Sequence, residues 1–441
     1  MAGWELFEDL PEQVGPEAGQ VKGAPRLRRP KRDQIELGVV DLDGLLPADH
    51  LARTIWRYVE GLDLGALYEP IKAREGTAGH PPIDPRLMLA LWLYATSEGV
   101  GSARALARLC ESENAYRWLC GGVSVNHHTL ADFRLAHPEL LDDLLAENVA
   151  ALAAAGLIDL DELTQDGLRV RAAAGSSSFR RRATVEERVE QARAAVARLR
   201  EEADEDPTAN ERRIRAAKER AAREREARAT AALAKLKEIE AQRARRERTH
   251  AKRTAKQGAP RVSLTDPEAR VIKMPDGGFR PAYNMQIVTA TGTQIIVALD
   301  VTASGSDGGQ ARPLLEKLHE RGIRPERYLA DGGFTDKADI EWAHEQGVEL
   351  YCPAQARKGH DPYAPRKDDG PGLRCWRERM ASAAGQAIYG RRPIHECVNA
   401  RARRQGLAQL VVRGIEKAKT ILRWHALANN IRMADHLLAA A

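Results

Sequence analysis

The sequence has few cysteines, and none of them forms a recognisable pair. Only five of the 441 residues are cysteine, and no two of these stand in a Cys-x-x-Cys arrangement. That arrangement is typical of zinc knuckles, and a high cysteine content is typical of small disulfide scaffolds. The sequence therefore argues against both classes.

Long apolar runs and a secretion signal are missing as well. A membrane-spanning helix takes about 20 mainly apolar residues, and no stretch of that kind is present. We therefore expect a cytoplasmic protein without a membrane partner. The apolar fraction of 43% is enough for sizeable cores, and 441 residues predict two or three domains.

The excess of positive charge is small overall and concentrated in one segment. The whole chain has 68 Lys and Arg against 63 Asp and Glu, a net charge of +5. Residues 176–261 alone have 25 Lys and Arg against 15 Asp and Glu, a surplus of +10. The basic character is therefore local, which indicates a DNA-facing segment.

The stretch YGRRPIHECVNARAR, residues 389–403, carries a spaced set of polar side chains: Tyr389, Arg392, Glu396 and Arg403. Pro393 is favoured at a first helical position, so we predict a helix that begins near it. Glu396 and Arg403 are then two turns apart on one face. On this stretch alone, a basic amphipathic helix with a single acid is the simpler interpretation.

Two aspartates far upstream change that interpretation. Asp166 and Asp331 each end or interrupt a strand-like run, and each is followed by glycine. A lone Asp-Gly is usually a turn, but two aspartates and a glutamate from separate elements make an all-oxygen site for Mg²⁺ or Mn²⁺. Asp300 and Asp307 are rival acids. Asp300 lies inside a strand, and Asp307 lies in a Ser-Gly-Ser-Asp-Gly-Gly run typical of a turn, so we prefer Asp331.

Together these residues resemble a DDE transposase of a bacterial insertion sequence, from the group with a Tyr, Arg, Glu, Lys signature around the last acid. Arg403 stands where that group has lysine, which keeps the charge but not the geometry. The resemblance implies that Asp166, Asp331 and Glu396 are catalytic and hold two Mg²⁺ or Mn²⁺ ions. It also implies that Tyr389, Arg392 and Arg403 bind DNA phosphates.

The resemblance extends over most of the chain. LLPADHLARTIWRYVEGLDL, PPIDPRLMLALWLYATSEGVGSARALARL and VNHHTLADFR look like the N-terminal domain of these transposases, and RGIEKAKTILRWHALANNIRM is similar to their C-terminal run. It implies cleavage of inverted DNA ends, joining of the 3′ hydroxyls to target DNA, and a homodimer in the synaptic complex. The opening arm and the arginine-rich middle are not covered.

We therefore predict an α+β multidomain protein: a basic arm (1–34), a helical DNA-binding domain (35–157), and a ribonuclease H-like mixed-sheet core (158–175 and 276–441) interrupted by a basic helical insertion (176–275). The arm is expected to be disordered when free, and either contacts DNA or stays solvated. Four arginines of the helical domain are candidates for DNA contact: Arg104, Arg108, Arg117 and Arg134.

Within the insertion, apolar residues from Val185 to Leu199 follow a heptad pattern that ends before Pro207. This predicts a coiled-coil-like antiparallel hairpin, with a solvated, partly frayed helix as the alternative. Residues 355–385 are rich in Pro, Gly and charge and are expected to form a loop over the site.

Two other classes of function stay open from sequence. The protein could be a DNA-binding relic or regulator without catalysis, or a helical assembly scaffold with an inert core. Inverted repeats flanking the reading frame would favour an active transposase.

Overall fold

Helices fill the part of the chain before the first strand. The computed structural model describes residues 41–71, 81–201, 209–255, 258–354 and 361–440, and the predicted basic arm lies outside these ranges. Seven α-helices precede the first strand within them: α1 (Leu51–Glu60), α2 (Gly65–Tyr68), α3 (Pro85–Ser97), α4 (Ala103–Ser112), α5 (Asn114–Cys120), α6 (His127–Ala136) and α7 (Pro138–Ala154). The predicted helical N-terminal region is confirmed.

Three of these helices begin at a residue whose side chain caps them. The Asp84 carboxylate accepts a hydrogen bond from the backbone N–H of Arg86 at 2.8 Å, with Pro85 as the first helical residue. Ser102 caps α4 and Asn126 caps α6 in the same manner. Each side chain pairs a backbone N–H that the helix cannot satisfy internally.

The rest of the chain alternates strands and helices. In chain order the elements are β1 (Glu162–Arg171), β2 (Phe179–Arg180), α8 (Arg182–Glu201), α9 (Ala209–Ala255), β3 (Val262–Ser263), β4 (Arg270–Lys273), β5 (Phe279–Ala290), β6 (Ile296–Thr302), α10 (Ala311–Glu320), β7 (Arg327–Ala330), α11 (Lys337–Glu345), β8 (Glu349–Tyr351), α12 (Pro371–Ala381), α13 (Ala383–Tyr389), α14 (Ile394–Arg404) and α15 (Ile415–Ala440).

Six of these strands form one mixed sheet. Strand β1 lies in its middle, antiparallel to β5 on one side and parallel to β7 on the other. Beyond β7 lies the parallel strand β8, and β5 pairs antiparallel with β4 and then with β6. A mixed sheet of this kind, covered by helices, is consistent with a ribonuclease H-like core.

Two apolar cores cover the sheet. One joins the N-terminal helices to strand residues such as Leu168 and Val170 through α15. The fully buried Trp424 of α15 donates from its indole nitrogen to the carbonyl of Arg134, at 2.9 Å. The other core packs α10, α11 and α12 against residues that include Leu163 and Tyr328. The N-terminal helices and the sheet therefore share a core.

The prediction of a loop over residues 355–385 is wrong for the second half of that range. Helix α12 occupies Pro371–Ala381, and Leu373, Trp376 and Met380 are buried on its inner face. Their spacing of three and four residues is that of an amphipathic helix, and the surrounding charge and glycine hid it. Residues 355–360 lie outside the described ranges.

Helices α8 and α9 pack against each other between two very short strands. Val185, Val189 and Val196 of α8 are buried, and Val185 shares a small core with Leu236 of α9. Strand β2, just before α8, pairs antiparallel with β3, just after α9. The two ends of this segment are therefore neighbours. No helix in the described ranges is long and apolar enough to span a membrane.

Candidate active site

The parallel pairing of β1 and β7 brings the two predicted aspartates to neighbouring positions. Gln165 of β1 is paired with Ala330 of β7, and Asp166 and Asp331 each follow one residue later. The Asp331 carboxylate accepts a hydrogen bond from the backbone N–H of Gly333 at 2.7 Å. Its charge also helps raise the pKa of Asp166, which places the two carboxylates within electrostatic range.

The Asp166 carboxylate is largely buried, with two hydrogen-bond donors and one ion pair. Its Oδ1 accepts from the Gly167 backbone N–H at 2.8 Å, and its Oδ2 accepts from Asn399 Nδ2 at 2.9 Å and lies 3.0 Å from Arg392 Nη2. Burial raises the pKa of Asp166 to about 6 because water no longer stabilises its charge. The charge of the Arg392 guanidinium and the hydrogen bond from the Gly167 N–H lower the pKa of Asp166 in part.

Arg392 connects this aspartate to the third acid. Its Nη1 lies 3.3 Å from Glu396 Oε1, one turn further along the chain. Glu396 is in the first turn of α14, which begins one residue after Pro393, as predicted, and its side chain is 66% exposed. The Nε of Arg392 is buried and has no hydrogen-bond partner among the described residues.

The two remaining signature residues differ in their surroundings. Tyr389 ends α13 and is half-buried; burial raises its phenol pKa, while the charge of Arg392 lowers it and that of Asp331 raises it. The Tyr389 hydroxyl therefore lies within the field of the same charged groups. Arg403 is exposed in the last turn of α14, on the solvent side of the helix.

Two family models match this chain. Residues 40–135 match the family model described as Transposase domain (DUF772), and residues 253–431 match the Transposase DDE domain. The second range includes Asp331 and Glu396, whereas Asp166 precedes it. The chain belongs to the DDE transposases. No curated protein and no solved structure matches it.

Two further side chains of α14 contact this region of the transposase, and the sequence reasoning missed both. Asn399, which donates to Asp166, lies one turn after Glu396, so their shared helix face was a usable signal. His395 is fully buried, and its Nδ1 lies 2.9 Å from the Thr289 hydroxyl on β5. Burial lowers the pKa of His395 to about 3, so the ring is neutral where it anchors the helix to the sheet.

The four N-terminal arginines of the transposase fall into two groups. Arg104 and Arg108 are exposed on α4, and Arg117 is half-exposed on α5. Arg134 is only 6% exposed, lies over the ring of Trp92 at 4.4 Å, and donates to the Gly101 carbonyl at 2.5 Å. The prediction that Arg134 contacts DNA is wrong, because its guanidinium is part of the core.

The possible ligand atoms near Asp166 are of the kind that a hard divalent cation prefers. Carboxylate and amide oxygens predominate, and the Oδ1 of the buried Asn399 has no hydrogen-bond partner among the described residues. Within those same ranges, no three His, Cys, Asp or Glu side chains are already grouped to hold a metal ion. Asp166 and Glu396 instead share Arg392, whose positive charge stands where a cation would otherwise balance them.

Proposed function

We propose that the protein binds the terminal inverted repeats of its insertion sequence, cuts the DNA ends and joins the 3′ hydroxyls to target DNA. The observation that supports this proposal is that Asp331 lies beside Asp166 at the ends of two parallel strands, while Arg392 joins Asp166 to Glu396 of α14. Separate elements supply the three acids, so an amphipathic helix with one stray acid does not account for them.

The proposed cofactors are two Mg²⁺ or Mn²⁺ ions held by Asp166, Asp331 and Glu396. Bound at a phosphodiester, such ions activate the attacking oxygen and stabilise the leaving oxygen. Asp166 and Asp331 lie on a buried sheet, which fixes their positions, whereas the exposed Glu396 can move toward them.

Arg392, Tyr389 and Arg403 would hold the phosphates near the bond to be cut. In the protein alone, Arg392 neutralises Asp166 and Glu396. A phosphate can accept both Nη groups of a guanidinium at once, so DNA is a competing partner for this side chain. Asn399 then remains as a donor that orients the Asp166 carboxylate.

The remaining DNA contacts are assigned to two basic surfaces. Arg104, Arg108 and Arg117 are candidates on the N-terminal helices, because their side chains reach solvent. Helices α8 and α9 are proposed to form a hairpin inserted in the catalytic core, which contacts phosphates without reading sequence. Cutting two ends in one complex implies at least a homodimer.

The test is a cleavage assay on the DNA that flanks the reading frame. Asp331→Asn and Glu396→Gln should abolish cutting with Mg²⁺ or Mn²⁺, while the affinity for the ends stays nearly unchanged, because affinity comes mainly from basic contacts to phosphate. Calcium should permit binding with little chemistry.

The matched control is Asp300→Asn, which removes a carboxylate of the neighbouring strand β6 that pairs with Lys419 of α15. It should cut like the unchanged protein. Normal cutting by Asp331→Asn, or full activity after divalent ions have been removed, would refute the assignment.

A further inference from the structure

A fourth carboxylate, that of Asp307, lies close to Gly167 and Gly333, which come one and two residues after the paired aspartates. Asp307 is in the loop between β6 and α10, and its side chain is 13% exposed. A Cβ atom added at Gly167 would lie 2.5 Å from Asp307 Oδ1, and one added at Gly333 would lie 3.6 Å from Asp307 Oδ2. Only glycine at position 167 therefore leaves room for this carboxylate beside Asp166 and Asp331.

One oxygen of Asp307 is fixed by buried amides. Its Oδ1 accepts from Asn284 Nδ2 at 2.6 Å and from Gln286 Nε2 at 2.9 Å, both on β5. Gln286 in turn accepts from Gln165 at 2.7 Å, and Gln165 accepts from the buried Tyr328 hydroxyl at 2.8 Å. This network holds Asp307 in place from the interior of the sheet.

The other oxygen is left with little to bind. Asp307 Oδ2 has one cationic neighbour in the described ranges, Arg169 Nη2 at 3.7 Å, which is beyond hydrogen-bond distance. The network thus orients the carboxylate and leaves one anionic oxygen facing Gly333, next to Asp331.

An unsatisfied oxygen lies at the same place. Asn284 is fully buried, and its Oδ1 has no hydrogen-bond partner among the described residues. This oxygen would lie 2.9 Å from a Cβ at position 167, the point that Asp307 Oδ1 also approaches. A buried carbonyl oxygen without a donor is unfavourable unless something positive or protic reaches it.

We propose that Asp307 is a fourth acidic ligand of the cation centre, acting with Asp166 and Asp331, and that Asn284 supplies a neutral oxygen beside it. This rests on the proposed function, because the cation is the one that the cleavage reaction would use. The negative charges of Asp331 and Asp307 both act on Asp166, and Arg169 and Arg392 offset this repulsion only in part. A divalent cation drawn to these carboxylates would remove the repulsion.

The test measures Mn²⁺ binding to the full chain without DNA, by electron paramagnetic resonance of free and bound Mn²⁺. The unchanged protein should bind Mn²⁺, and Asp307→Asn should weaken the binding at least about tenfold, since even a residue that only supports a ligand contributes 10- to 100-fold. The amide oxygen of the new side chain can still accept from Asn284 and Gln286, so the fold should be kept. Asp300→Asn is the matched control and should bind as the unchanged protein does.

Melting without and with Mn²⁺ separates a ligand from a merely structural acceptor. Asp307→Asn should melt no lower than the unchanged protein in the absence of metal, because it relieves repulsion, and it should lose most of the rise in Tm that Mn²⁺ produces. Unchanged Mn²⁺ binding by Asp307→Asn, with binding lost in Asp331→Asn, overturns this inference and leaves the proposed function standing. An unchanged protein that binds no Mn²⁺ overturns the inference as well, and cleavage with the DNA present then decides the proposed function separately.

Discussion

The Arg392 guanidinium lies between Asp166 and Glu396, with Nη2 3.0 Å from Asp166 Oδ2 and Nη1 3.3 Å from Glu396 Oε1. One side chain thus compensates two acids that come from different elements. The arrangement keeps the buried Asp166 carboxylate ionisable before DNA or metal arrives. It also links the ionisation of Asp166 to the position of α14, because Arg392 lies just before that helix and pairs with Glu396 in its first turn.

Replacing Arg392 by glutamine should raise the pKa of Asp166 above its value of about 6. Loss of an adjacent positive charge disfavours the carboxylate, by about 1 to 3 units for a close pair. The measurement is a titration of ¹³C-labelled aspartate carboxyls in the metal-free protein. Arg391→Gln, which removes a neighbouring arginine paired with Glu162, should leave the pKa of Asp166 unchanged. A pKa that does not move in Arg392→Gln would show that the guanidinium does not control this acid.

Replacing residues 184–256 by a short Gly/Ser linker should leave the core folded. The antiparallel pairing of β2 with β3 already holds both ends of the segment together, so a short linker can close it. DNA affinity at low salt should fall and its salt dependence should become shallower. The logarithmic slope should decrease by roughly 0.9 for each phosphate that the segment neutralises in the unchanged protein.

Preference for the element's ends should not change, because phosphate contacts carry no sequence information. The measurements are binding isotherms at several salt concentrations and sedimentation of the free protein. An unchanged slope together with a monomeric protein would make the α8 and α9 pair an assembly device.

Arg134→Ala and Arg104→Ala should behave in opposite ways. The first removes a side chain that packs over Trp92 and leaves the Gly101 carbonyl without its donor, so urea unfolding should show a loss of about 2 to 4 kcal/mol. The second changes an exposed residue and should alter stability by no more than about 0.5 kcal/mol. If Arg104 contacts phosphate, its replacement should also lower the salt slope of DNA binding by about 0.9. Equal stability of the two variants would contradict the core position of Arg134.

His425 should make the fold sensitive to mild acid. It is buried in α15, and burial, with the charge of Arg134 in addition, lowers its pKa from 6.5 to about 3. The unfolded chain therefore binds a proton below pH 6.5 that the folded chain does not, so this residue costs stability as the pH falls from 6.5 toward 3. Between pH 6.5 and 5 the cost is about 2 kcal/mol.

Urea unfolding at pH 7.5 and 5 measures this effect. His425→Gln removes the titrating ring, so the drop in unfolding free energy between the two pH values should be about 2 kcal/mol smaller than in the unchanged protein. The same drop in both proteins would mean that His425 does not contribute to acid sensitivity.

The features that sequence could predict are those encoded by neighbouring residues. Helix starts at Pro85 and near Pro393 follow from capping and proline chemistry, and the strand around Asp166 follows from its apolar pattern. Within the active site, the resemblance to the family indicated three acids, and the fold brings Asp166 and Asp331 to adjacent strands.

Contacts between residues that lie far apart in the sequence were mostly not predictable. The sequence around Asp307 is that of a turn, and only the fold brings this loop against Gly167 and Gly333. Asn284 and Gln286 did offer a signal, since two polar residues two apart in an otherwise apolar strand share one face. The burial of Arg134 had no local signal, because its aromatic partner Trp92 lies more than one helix away in the chain.

The shared core around α15 has a consequence for how the chain is synthesised. Helices α3 and α7 bury apolar side chains against α15, which leaves the ribosome more than 250 residues later. At about 5 to 20 residues per second, the N-terminal helices wait for tens of seconds or less with part of their apolar surface uncovered. A nascent chain cut short before Ile415 would leave that surface open, which makes truncated products targets for chaperones and proteases rather than free DNA-binding fragments.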